Sequence, residues 1–459
     1  MRRFVCGIVC GLAWPAALSA QTPPASAAVA QVVDSLARAF VAQGRAPSVA
    51  IGVVRGGETV VMKGWGKADL ENDVPATEHS VYRIGSLTKQ FTAAAVMQLV
   101  EQGKVRLTDS IGAHLPALPA AWRGVTVRQL LNHTSGIPSY TDIGPAWIRR
   151  WGEEMIPDSL VTLTATHDMW FAPGTSWRYD NSGYVVLGML IEKVAGRPWS
   201  TDIEERFLKP LGLTETLNCL TAPVVPRRVH GYNSAGAAAW VNTPYLAMSQ
   251  PYAAGALCSS VHDLARWNAA LHGGRVVSPA SYALMTTPEG AARAQQYGFG
   301  LRHTTLLGHE MIMHNGVING FISSNAWLPD ARLSITVLTN SGESRAGALM
   351  LEVARAALGA PLEARPAVVP LAAADRARYA GVYALALPDG TRDFTIAIEG
   401  DGLTAMLAGQ SPVQLLHYGN HTFGASFDAS LRVIFTVDGG RATGLTLRQG
   451  GGEFQAQRK

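Results

Sequence analysis

The sequence predicts an α+β body followed by a smaller all-β domain. Three observations lead there. Helical and strand patterns are mixed over roughly the first three quarters of the chain, without a regular β-α repeat. A stretch punctuated by Pro361, Pro366 and Pro370 then marks a change of texture. Beyond it, alternating apolar residues and Asp-Gly turns read as an antiparallel meander. The 459 residues are ample for a sizeable core. Only 16% are charged, against about 25% in an average globular chain, which argues against disorder. A formal charge of +4 from 38 basic and 34 acidic residues, with no Lys/Arg run, excludes a nucleic-acid partner from the expected set.

The elements follow in order. Residues 29–43 carry Val32, Val33, Leu36, Phe40 and Val41 at helical spacing. Residues 49–54 and 58–63 form a hairpin turning at Gly56-Gly57. Residues 86–101 form a long helix, with Ser86 as its cap and Gly103 past its end. Residues 183–195 form a second, stopped by Gly196 and Pro198. Residues 261–271 form a third, stopped by Gly273-Gly274. Residues 333–339 read as a buried strand and 346–358 as a closing helix. The catalytic-sized body thus spans residues 29–359, and 360–371 is a linker. In residues 372–459, Phe394, Ile396 and Ile398 alternate with polar or small neighbours. Leu403, Ala405 and Leu407, then Phe423, Ala425 and Phe427, then Val433, Phe435 and Val437 do the same. Turns at Asp401-Gly402 and Asp438-Gly439 separate them, and Leu445 and Leu447 follow. This is a small sandwich or barrel.

Residues 1–20 have the three parts of a secretory signal peptide: Arg2 and Arg3, an apolar stretch, and small residues ending at Ser19-Ala20. The apolar stretch is shorter than the roughly 20 residues of a spanning helix. No later segment is long enough either. The expectation is a periplasmic or secreted protein with no stable membrane anchor. Cleavage removes Arg2 and Arg3, taking the +4 charge to +2. It also removes Cys6 and Cys10, leaving Cys219 and Cys258. An oxidising compartment permits a disulfide between them, and two buried thiols are the alternative. Two cysteines are too few for a cysteine-based zinc site. His309-Glu310 and His314 are five apart rather than the four a helical zinc motif needs. No phosphate loop, dinucleotide glycine pattern or Gly-x-Ser-x-Gly elbow occurs. No metal or organic cofactor is therefore expected.

Three short segments carry chemistry. In Ser86-Leu87-Thr88-Lys89 the first and last residues face one side of a helix. A serine hydroxyl needs a neighbour to take its proton, and a desolvated lysine can be neutral and do so. In Tyr179-Asp180-Asn181 the outer two residues can point into one cleft, where a phenolate near a lysine relays protons. In His314-Asn315-Gly316 the glycine lets substrate approach the backbone, and the N–H of Val317 is a candidate oxyanion donor.

Together, in that order and with large gaps, these segments resemble the serine β-lactamase and penicillin-binding-protein superfamily. The branch resembled holds class C β-lactamases, DD-carboxypeptidases, D-aminopeptidases and related esterases. Supporting phrases are Leu130-Leu131-Asn132-His133-Thr134-Ser135-Gly136, Asn181-Ser182-Gly183-Tyr184 and Ala254-Gly255-Ala256-Leu257. The resemblance implies a β-lactamase/transpeptidase-like fold, an antiparallel sheet flanked by helices with a helical lobe, and a lipocalin-like C-terminal domain. It implies that Ser86 is acylated, Lys89 helps deprotonate it, Tyr179 relays protons and Asn181 orients Lys89 and the substrate amide. Ser86 and Val317 supply the oxyanion hole, and His314, Asn315 and Gly316 line the receiving strand. The substrate is then a small molecule or short peptide, and oligomers are compatible with the fold. Two departures are visible. Asp180 stands where many relatives have a small residue, and is expected to bias the cleft against anions or toward a cationic group. His314 replaces a lysine and is expected to act as a weaker, pH-dependent cation. That favours D-residue peptides and amides over β-lactams. The alternatives are a carboxylesterase or β-lactamase of the same fold, or a non-catalytic penicillin-binding sensor.

Overall fold

The computed structural model describes residues 24–459 except 237–238, 363–365, 388–389, 409–411, 426–427 and 450–451. The expected signal peptide, residues 1–20, and the strand residue Phe427 lie outside the described residues.

Helix α1 (Ser26–Ala42) precedes the hairpin β1 (Ser48–Arg55) and β2 (Glu58–Asp69), which continues into β3 (Val74–Pro75). Next come β4 (Tyr82–Arg83), α2 (Thr88–Glu101) and α3 (Asn181–Ala195). β5 (Leu217–Asn218), β6 (Leu257–Ser259) and α4 (Val261–Leu271) follow. The body closes with β7 (Arg302–Leu306), β8 (His309–Ile318), β9 (Phe321–Leu328), β10 (Leu333–Thr339) and α5 (Ala346–Ala357). The main sheet has the order β3-β2-β1-β10-β9-β8-β7, antiparallel throughout.

Strand alternation gives this sheet two buried faces. Val49, Ile51 and Val53 of β1 and Ile335 and Val337 of β10 share one core with Val29, Val33 and Phe40 of α1 and Leu349 and Val353 of α5. The opposite face, with Ala50 and Leu338, joins a larger core with Val261, Leu264 and Trp267 of α4 and Phe91 of α2. Each large apolar side chain so buried contributes about 1.5–3 kcal/mol. A buried polar contact sets the position of α4: Asn268 Nδ2 donates to Asn325 Oδ1 (2.8 Å) and Ser334 Oγ (2.7 Å).

β4, β6 and β5 make a second, three-stranded sheet beside the first. Across it Cys219 and Cys258 are joined as a disulfide, their Cα atoms 5.2 Å apart. The two thiols left open by the sequence are thus paired.

The C-terminal strands between residues 381 and 458 form a closed antiparallel barrel, eight strands among the described residues. Its last strand, Gly452–Arg458, returns to pair with its first, Gly381–Leu387, which decides barrel over sandwich. Tyr383, Phe394, Phe423, Val433, Phe435 and Leu445 fill the interior. Ile398 departs from the expected alternation; it is half-exposed at the end of its strand. Among the described residues no helix is long and apolar enough to cross a membrane.

Candidate active site

Ser86 does not cap the long helix, as its sequence pattern suggested. It sits in a short 3-10 turn, residues 85–87, and α2 starts only at Thr88. Two glycines let this turn nest against β8. Gly85 has φ +51°, and a Cβ there would lie 3.1 Å from both the N and O of Val317. A Cβ on Gly316 would lie 2.0 Å from Ile84 O, an impossible contact. The glycine thus serves the approach of two protein segments. β7 pairs with β8 only as far as Met313. Among the described residues, the outer edge of positions 314–318 therefore has no partner strand and faces the cleft.

Under this edge the separate segments meet. Lys89 is fully buried. Its Nζ lies 3.1 Å from Ser86 Oγ, 2.7 Å from Asn181 Oδ1 and 2.8 Å from Ala254 O. Burial drives its ammonium pKa well below the ordinary lysine value, against a pull from Asp180. A neutral amine has two N–H bonds, which match Asn181 and Ala254. Its lone pair then faces the Ser86 hydroxyl. Asn181 is itself held by its Nδ2, which donates to Thr141 Oγ1 at 3.0 Å. The ring of Tyr179 lies 4.8 Å below the Lys89 Nζ. Its hydroxyl is buried and meets no partner in good hydrogen-bond geometry, though Ser86 is near enough to favour its ionised form. Burial outweighs that and raises its pKa above the usual phenol value. Tyr179 is thus a proton-bearing phenol, where the sequence suggested a phenolate.

Asp180 does not face the cleft. It caps α3, its Oδ1 accepting from Gly183 N at 2.8 Å and its Oδ2 from Ser135 Oγ at 2.9 Å. Burial pushes its pKa up to about 7. Its carboxylate caps the helix start and does not line the cleft, so it offers a substrate no direct contact and acts on the site only through Lys89 and Tyr179. The phrase around His133 is explained by the same cap: His133 Nδ1 accepts from Asp180 N at 3.2 Å, and Tyr184 OH donates to Leu131 O at 2.8 Å.

His314 is not a pH-dependent cation. It is buried on β8, with Nδ1 2.6 Å from Asn315 O and Nε2 2.9 Å from Tyr297 OH. Since a carbonyl only accepts, Nδ1 carries the proton and Nε2 accepts from the tyrosine. Burial lowers its pKa to about 3. Asn315 turns its Oδ1 to accept from Ser324 Oγ at 2.7 Å, on the neighbouring strand.

Ser86, Tyr179, Asn181, His314, Asn315 and Val317 line one cleft of about 800 Å³, with Lys89 beneath Ser86. Sequence reasoning missed several of its walls. Arg302 is the only charged side chain among the described lining residues. It lies over the rings of Trp177 and Tyr297, 5.7 and 5.6 Å away. The cleft is also lined by Tyr140, Trp147 and Trp151, packed edge to face. Trp147 is fixed by its Nε1, which donates to Gln250 Oε1 at 2.8 Å. No local spacing marks these residues; only the fold gathers them.

The profile of the Beta-lactamase family matches residues 33–360. Penicillin-binding protein 4* of Bacillus subtilis (strain 168) is 28% identical over 438 residues, covering 88% of this chain and 93% of that protein. A D-aminopeptidase of Gluconobacter oxydans (strain 621H) is 26% identical over 323 residues, 69% of this chain, and the match spans only 60% of that relative. Among solved structures, D-amino acid amidase from Ochrobactrum anthropi SV3 in complex with D-phenylalanine has a TM-score of 0.64 and 25% identity, covering 72% of this chain and 98% of that one.

Proposed function

The chain belongs to the Beta-lactamase family, and on that premise we propose that it is an exported serine hydrolase working through an acyl-enzyme on Ser86. The observation that carries this is the buried Lys89 amine, 3.1 Å from Ser86 Oγ and ordered by Asn181 and Ala254. Lys89 takes the Ser86 proton as Oγ attacks the substrate carbonyl. The N–H groups of Ser86 and Val317 hold the developing oxyanion. On collapse the leaving amine takes a proton from the Tyr179 hydroxyl, and Lys89 replaces it. Water then cleaves the acyl-enzyme with the same groups in reverse.

We assign short peptides and amides with D-residues as the substrate class, ahead of simple esters and β-lactams. The unpaired edge at positions 314–318 suits an extended peptide, which adds to it through backbone hydrogen bonds. The aromatic wall of Tyr140, Trp147 and Trp151 suits a bulky side chain, and Arg302 a carboxylate. Similarity to a D-aminopeptidase and a D-amino acid amidase supports the D preference.

One preparation should be assayed with D-Ala-D-Ala peptides, D-amino-acid amides, nitrophenyl esters and a chromogenic cephalosporin. The expected result is the highest kcat/KM on a D-peptide or D-amide. Clearly fastest turnover of the cephalosporin overturns the substrate class. Ser86→Ala should abolish turnover and labelling by a fluorescent penicillin or fluorophosphonate. It should leave unfolding within about 1 kcal/mol of the wild type. Full activity in that variant overturns the site itself.

A further inference from the structure

A second cluster of donor atoms lies away from the cleft. His79, Glu215 and His262 each offer one ligand atom, all within 4.8 Å of one another. None of the three lines the cleft around Ser86. His79 Nδ1 lies 2.9 Å from Glu215 Oε1. Yet this nitrogen is shielded from solvent and makes no hydrogen bond of acceptable geometry. The Nδ1 lone pair and the carboxylate oxygen can thus converge on a shared cation. In a tetrahedral zinc site with bonds of about 2.0–2.1 Å, adjacent ligand atoms stand about 3.3 Å apart.

The surroundings fit an outer shell. Glu215 is almost completely buried and its Oε2 accepts from Ser260 Oγ at 2.6 Å. Its Oε1 also accepts from Arg227 Nη2 at 2.9 Å. Asp263 Oδ1 is buried without a partner, 3.8 Å from His262 Nδ1. A small turn of that ring gives the carboxylate–histidine pair that orients metal-bound imidazoles, leaving Nε2 for the ion. Glu78, 3.9 Å from His79 Nε2, adds a further negative charge. Three carboxylates against the single charge of Arg227 leave a surplus of two negative charges, which a divalent cation balances.

We propose that His79, Glu215 and His262 bind a divalent ion of the zinc class, with water completing its coordination. Two imidazoles and one carboxylate are the donor set such borderline ions take. The site would tie together the three segments of the small sheet. His79 precedes β4, Glu215 precedes β5 and His262 follows β6. The disulfide already joins the residue that follows β5 to β6. The ion adds β4, the strand that leads into Ser86, so its role is structural rather than catalytic.

The test uses the full chain, disulfide intact and purified without a polyhistidine tag. It is dialysed with zinc chloride, then against metal-free buffer, and its metal content and thermal unfolding are measured. Expected are stoichiometric zinc and a Tm raised by several degrees. Cobalt(II) should give the visible absorption of a tetrahedral site. Ser86→Ala should bind zinc as the wild type does. His79→Gln and His262→Gln, both at half-exposed side chains, should bind at least about tenfold more weakly. A wild type that retains no zinc and shows no cobalt spectrum overturns the proposal. So does undiminished binding in either variant, which would leave a plain His79–Glu215 ion pair.

Discussion

The chemistry of single residues here is set by burial more than by neighbours in sequence. In Lys89 and His314 alike, desolvation disfavours the charged form. The same holds for His133 and His272, whose pKa values burial lowers, the latter to about 3. This has a consequence for acid stability. In the unfolded chain an imidazole takes up its proton near 6.5. Below that value the unfolded state binds protons that the fold refuses. The contribution of these neutral histidines is fully present above about 6.5 and is lost as pH falls toward about 3. Asp180, raised to about 7, runs the other way: it favours the fold most below about 4. Three histidines outweigh one aspartate. The urea midpoint should therefore be lower at pH 5.0 than at pH 7.5, and His314→Asn should have the shallower acid limb. Equal midpoints at both pH values would mean these imidazoles are charged in the fold.

At the scale of elements, the site depends on how closely the Ser86 turn seats against β8. Ile84 O accepts from Ser323 Oγ at 2.8 Å, right where Gly316 leaves space. Gly316→Ala should push that turn away while leaving the strand paired on its other side. We expect kcat/KM to fall by at least about a hundredfold, since misplacement by about 1 Å can cost that much. Circular dichroism should show the fold retained, with the Tm lowered in keeping with the roughly 1–3 kcal/mol that such overpacking costs. A variant with wild-type kcat/KM would show that the turn and β8 are not in catalytic register. The helices at residues 261–271 and 346–358 and the strand at 333–339 were readable because period and stop signals agree. The start of α2 was not, because a 3-10 turn and a helix share one apolar pattern. The role of Asp180 was also hidden: a capping aspartate and a cleft aspartate look alike until the partners Gly183 and Ser135 are in place.

The whole molecule has its apolar interior in separate clusters. The body holds two large cores on the two faces of one sheet, and the barrel holds its own around Tyr383 and Phe435. No residue is common to the body cores and the barrel core. Units with independent cores unfold independently unless a large interface couples them. Calorimetry should resolve two transitions. An active-site ligand such as a covalently bound penicillin should shift only the one belonging to the body. A single transition that moves as one would mean that the barrel is an obligate part of the catalytic unit.

Much of this was decided in the sequence alone. Periodicity and turn residues specified the α+β body and the all-β end, because burial patterns are local. Ser86, Lys89, Tyr179, Asn181 and His314 were legible as short motifs in a characteristic order. Tertiary structure decided the charge states, the direction Asp180 faces, the closure of the barrel and the Cys219–Cys258 pairing. It also brought Arg302 and the Trp147–Trp151 wall into the cleft. The physical reason is that desolvation, pairing and cleft shape are properties of surroundings. Those surroundings are assembled largely from residues tens to more than a hundred positions apart, and no short window along the chain contains them.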